Sequence, residues 1–141
     1  MPRAFVLSCL TLVLGLGLAF GLPTLAYAEA EVALSGAWQK KNYTTRGGWR
    51  IVKEEGSTFL ELTDDFETKR APDLKIFLSP ANAGDLNSGN ATRGAILVAK
   101  LKSSRGAARF AVPASVDLDK YKSVALHCQK YSALFAASPL R

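Results

Sequence analysis

The sequence has 141 residues, 18 Lys and Arg against 12 Asp and Glu, a net charge of +6, and 48% hydrophobic residues. A chain of this size holds one hydrophobic core. Its basic residues are scattered as Lys40-Lys41, Lys69-Arg70, Lys100 with Lys102, and Arg105 with Arg109. None of these reaches the length of a nucleic-acid-binding arm, so nucleic acid is set aside as a partner. A mildly basic solvated surface accounts for the balance, and weak attraction to an anionic membrane surface or acidic partner is the lesser reading.

At the N-terminus, Arg3 precedes an uncharged apolar stretch from Ala4 to Leu22, which Pro23 breaks. Ala26-Tyr27-Ala28 then supplies a small-x-small step before Glu29. Together these read as a secretory signal peptide over residues 1–28. The apolar run is nearly long enough to span a bilayer, so a retained anchor is the competing reading. Cys9 lies too early in the stretch to be a lipoprotein cysteine. Cleavage would leave residues 29–141 as a single exported domain, periplasmic or extracellular, with Cys128 as its sole thiol. Loss of Arg3 leaves seventeen basic residues against twelve acidic ones, a net charge of +5.

Short apolar runs then alternate with turn residues, as in all-β domains. "RGGWRIVKEEGSTFLELTDDF" predicts two strands around a turn at Glu55-Gly56-Ser57. Trp49 and Ile51 share a face in the first, and Thr58, Leu60 and Leu62 in the second. "DLKIFLSP" places Leu74, Ile76 and Leu78 on one face and stops at Pro80. "SPANAGDLNSGNATRG" is a long loop of the kind that often carries function or motion. It contains the sequon Asn90-Ala91-Thr92, matched earlier by Asn42-Tyr43-Thr44. "AILVAKL" is apolar on both faces and predicts a strand buried on both sides. "ARFAVP" and "KSVALHCQKYSALF" supply the remaining strands. The expected fold is an all-β, mostly antiparallel β-sandwich or barrel-like domain.

The residue inventory removes several chemistries for a chain acting alone. The C-x-x-C-H attachment motif of c-type haem is missing. His127 is the single histidine, and no methionine follows Met1, so bis-His and His/Met haem ligation and a blue-copper site lack ligands. One cysteine cannot hold an iron–sulfur cluster or a structural zinc. There is neither a P-loop nor a dinucleotide-binding glycine fingerprint. Asp64, Asp65 and Glu67, with Asp73 nearby, suit calcium by chemistry, but their spacing matches no EF-hand loop and reads as a solvated turn. No metal site and no cofactor are assigned.

His127-Cys128 looks like half of a nucleophilic pair, but adjacent strand residues point to opposite faces. No second histidine supplies a base. Strand parity instead puts Val124, Leu126 and Cys128 in one row, with Lys130 next. A buried cysteine acting as a small hydrophobe is one reading. A thiolate favoured by Lys130 is another. A crosslink to another chain is the third.

The order of these segments resembles the DM-thirteen domain, a family of exported domains with a proposed electron-transfer role. The resemblance runs from "SGAWQKKNYTTRGGWRIV" through "FLELTDDFETKRAPDLKIFLS" and "LKSSRGAARFAVP" to "VDLDKYKSVALHCQKYSALFAASPL". Phe66, Pro72-Asp73-Leu74, Tyr121, Ser123-Val124, Cys128, Tyr131, Phe135 and the closing Pro139-Leu140 match the family pattern. The resemblance implies a β-rich fold with Cys128 as the candidate redox thiol. It also implies a redox partner, since such domains sometimes accompany cytochrome or DOMON-type haem domains, here necessarily on another chain. His127 stands where a tryptophan is usual, and Ala136-Ala137-Ser138 where a Gly-aromatic-Ala step is usual. Electron transfer through a single thiol is the leading expectation. A non-enzymatic envelope or extracellular binding module with a structural buried cysteine is the alternative.

Overall fold

The computed structural model describes Gly21 and residues 30–141. Gly21 apart, the expected signal peptide over residues 1–28, with Cys9, lies outside the described residues.

Among the described residues, nine strands form two antiparallel sheets: β1 (Glu31–Ala37), β2 (Gln39–Lys40), β3 (Gly48–Glu54), β4 (Ser57–Leu62), β5 (Leu74–Ser79), β6 (Ile96–Lys100), β7 (Ala108–Val112), β8 (Ser123–Cys128) and β9 (Ala133–Pro139). The expected β3–β4 hairpin turns at Glu55 and Gly56, with φ of 49° and 80°. Positive φ at both central residues matches the right-handed twist of the flanking strands, and Gly56 adopts it without steric cost. The first sheet runs β1-β3-β4-β7 and the second β2-β9-β8-β5-β6. Packed face to face, they make a β-sandwich rather than a closed barrel.

The inter-sheet core follows from strand alternation. Trp49, Ile51, Leu60 and Leu62 project from the first sheet, and Leu74, Ile76, Leu78, Val124 and Leu126 from the second. Each such side chain contributes about 1.5–3 kcal/mol by leaving water. Close backbone approach seals one edge. A Cβ at Gly48 would lie 2.3 Å from the Gly36 carbonyl oxygen, so β1 and β3 meet here only through glycine.

The second sheet also buries its outer face. Phe77, Ala125, Leu134 and Ala137 pack beneath Ala83, Leu86 and Ala91 of the loop between β5 and β6. The long polar segment of the sequence is therefore a cover with apolar pegs.

The doubly buried strand is β8, all six of whose residues are buried. The expectation of two-sided burial for "AILVAKL" is corrected: β6 is an edge strand, and Leu97 is 47% exposed. Edge or central position depends on long-range pairing, which an apolar run does not encode.

Candidate functional site

Cys128 is the last residue of β8 and is free and fully buried. Its Cα partners are Leu74 on β5 and Ala133 on β9. Its side chain belongs to the inter-sheet core, with Val124 and Leu126 along the same strand. Parity thus located the face of Cys128 correctly.

It did not locate Lys130. The strand ends at Cys128, where Gln129 N–H donates to the Asp73 carbonyl at 3.1 Å. Ser132 N–H then donates back to the Gln129 carbonyl at 3.2 Å, and Ser132 takes a φ of 47°. Lys130 lies in this exposed turn, not in the core-facing row that parity extended to it. No turn residue such as glycine marks the reversal, so the sequence pattern ran through it.

His127 faces the other way, as expected. It is 3% exposed and stands edge-on to the Phe77 ring, with centroids 6.0 Å apart. Among the described residues its Nδ1 has no hydrogen-bond partner. Burial pushes the imidazole below its ordinary range, partly opposed by the Ser88 backbone and by Asp73. Cys128 and His127 therefore occupy separate compartments on the two sides of one sheet. The arrangement offers no imidazole base to the thiol.

Register explains the local crowding. Leu126 pairs with Ala136 but His127 with Leu134, so Phe135 is the extra residue of a bulge. Lys41 and Tyr43 both donate backbone N–H groups to the Phe135 carbonyl. The Tyr43 and Phe135 rings meet at 4.4 Å. Ser88 reaches in from the covering loop, where its Oγ accepts from Leu134 N–H at 3.0 Å and from Asn42 Nδ2 at 3.0 Å.

The acidic cluster is drawn into separate contacts. Glu67 lies between Arg46 and Arg105, and the Arg46 guanidinium holds its carboxyl below the usual range. Asp73 pairs with Lys75 at 3.3 Å, and Asp65 accepts from Thr63 Oγ1 at 2.6 Å. Among the described residues, no three His, Cys, Asp or Glu side chains gather into a metal-binding group.

The family model described as "Electron transfer DM13" matches residues 37–140. The chain belongs to the electron transfer DM13 family. Neither the curated proteins nor the solved structures contain a match. In this DM13 domain the matched segment begins at the end of β1 and closes one residue past β9, so it takes in both sheets. The steps at which the sequence departs from the family pattern are buried. His127, Ala136, Ala137 and Ser138 are each at most 3% exposed. Ala137 packs under the covering loop and His127 stands beside Phe77 on that outer face, whereas Ala136 shares the inter-sheet core with Cys128.

Sequence reasoning also missed a group of cations at the rim where β8 ends. Arg70, Lys102 and Arg105 come from two loops and line one cleft. Their convergence depends on the pairing of β5 with β6 and was not readable from scattered basic pairs.

Proposed function

We propose that this DM13 domain is an exported module that passes electrons through the Cys128 thiol to a redox partner on another chain. The observation that carries the reading is the position of the thiol. Cys128 closes a central strand, and the next residues, Gln129, Lys130 and Tyr131, are exposed. The sulfur is thus buried, yet it lies at the rim of the sandwich rather than midway along it. Family membership supports an electron-transfer role, and the resemblance carries the redox position to Cys128. In the exchange step, the Cys128 thiolate attacks one sulfur of a partner disulfide. The partner's S–S bond breaks, its other sulfur leaves as a thiolate, and a new interchain disulfide forms. A second thiol attacking that mixed disulfide returns Cys128 to its reduced form.

Complete burial favours a second reading, in which Cys128 is core packing and the domain is a non-enzymatic interaction module. The two differ in how the sulfur becomes reachable. The redox reading requires local opening of the rim at a free energy well below that of global unfolding. Cys128 labelling should be followed in the folded protein across sub-denaturing urea. A labelling rate independent of urea marks local opening and supports the redox role. Labelling that tracks global unfolding sinks it and leaves the interaction module.

A further inference from the structure

An open cleft of about 400 Å³ lies between residues 70–74 and 101–105. Arg70, Lys102 and Arg105 line it with Ser104, and among the described residues no carboxylate does. Among the described residues, neither Arg70 nor Lys102 has an ion-pair partner, and Arg105 shares Glu67 with Arg46. Arg70 and Lys102 are thus uncompensated, and such cations in a concave site focus the field and draw anions inward. Leu74 forms part of the lining, is 3% exposed, and is the Cα partner of Cys128. Directly opposed residues of antiparallel strands stand about 4.5–5.5 Å apart. The residue paired with Cys128 across the sheet is thus also part of the cleft wall.

We propose that this cleft receives a small carboxylate-bearing disulfide and holds it against Leu74 for exchange with Cys128. The inference rests on the thiol reading above and names its substrate class. Guanidinium groups take carboxylates through paired, charge-assisted hydrogen bonds. The cleft also falls within the roughly 300–1,000 Å³ range of small-ligand sites. Exchange forms a bond between the Cys128 sulfur and one ligand sulfur. The ligand's own S–S bond breaks, and its second half departs as a thiolate carrying the electron pair.

Two measurements separate this cleft from the thiol reading. In the first, the Cys128→Ala protein is titrated with the dianion dithiobis(nitrobenzoate) and followed by backbone amide NMR. Saturable shifts are expected at Arg70, Ala71 and residues 101–105. They should vanish with neutral dithiodipyridine and in a triple Arg70→Gln, Lys102→Gln, Arg105→Gln variant. In the second, Cys128 itself is labelled by both reagents. The triple variant should lower the dianion-to-neutral rate ratio about tenfold, and raised salt should erase the difference. Absent amide shifts, or a ratio unmoved by the triple substitution, would overturn the cleft assignment. Shifts with polyglutamate but not with the small dianion would overturn it in favour of an acidic protein face. Saturable shifts combined with labelling only on global unfolding would overturn the exchange at Cys128 and identify the thiol reading as the part that failed.

Discussion

Leu74 and Cys128 oppose each other across β5 and β8 with both side chains in the inter-sheet core. Leu74 also lines the rim cleft, so the proposed exchange requires it to act as the gate between solvent and sulfur. Leu74→Ala should cost about 2–5 kcal/mol in urea unfolding. It should also speed native-state labelling of Cys128 beyond what that loss explains. Leu78→Ala is the control, since Leu78 shares the strand and face but pairs with Val124 at the far end. Equal acceleration by both variants would mean global destabilisation and would remove the gate.

The surroundings of Cys128 set the outcome of replacing it. Cys128→Ala leaves a small void in an apolar site and should cost about 1–2 kcal/mol. Cys128→Ser is nearly the same size but places a hydroxyl among Leu126, Leu74 and Ala133. An unpaired buried hydroxyl costs about 1–3 kcal/mol, so serine should be at least as destabilising as alanine. Urea midpoints at unchanged slope measure the order. A serine variant more stable than alanine would indicate a polar partner or solvent at the sulfur.

These expectations show where the sequence was informative. The β3–β4 hairpin and the inward row of β5 were legible because Trp49, Ile51, Leu74, Ile76 and Leu78 recur with period two. The face of Cys128 was legible for the same reason. The roles of β6 and β8 were not, because both runs are apolar on both faces and only pairing order makes one an edge. Lys130 was misplaced because Ser132 adopts positive φ without a glycine to announce it. The covering role of residues 80–95 was hidden because Ala83, Leu86 and Ala91 are few among polar neighbours. Arg70 lies some thirty positions before Lys102 and Arg105, and only the β5–β6 pairing brings them together.

His127 gives a pH dependence with a defined sign. Its folded pKa is lowered from 6.5, because burial disfavours the imidazolium. The charged groups acting on it are Asp73, which opposes the shift, and Lys75, which adds to it. As pH falls, the unfolded chain takes up the proton first, so this contribution to stability is intact above pH 6.5 and declines below it. The slope from this one group approaches about 1.4 kcal/mol per pH unit at most. His127→Gln should flatten the stability profile just below pH 6.5 relative to the parent. Glu67 acts only at more acidic pH, since its own pKa is lowered from 4.5. An identical slope in parent and variant between pH 6.5 and 5 would show that His127 protonates freely in the fold.

Ser88 ties the covering loop to the sheet, and the same contacts bear on the Asn42 sequon. Its Oγ accepts from Leu134 N–H and from Asn42 Nδ2, and Asn42 Nδ2 also donates to the Leu134 carbonyl at 2.7 Å. Ser88→Ala strips the Leu134 amide of its partner at the bulge and should cost about 1–3 kcal/mol. Amide exchange should then rise first over residues 83–91, whose pegs pack on Phe77 and Leu134. A glycan on Asn42 Nδ2 would consume one of the two hydrogens these acceptors use and would wedge the loop away. Asn90 Nδ2 is engaged in turn by the Asp85 carbonyl at 3.0 Å. Expression in a glycosylating host should therefore yield a folded fraction unmodified at Asn42, with Ser88→Ala raising its occupancy. Full occupancy of Asn42 at unchanged melting temperature would show that the tie is dispensable.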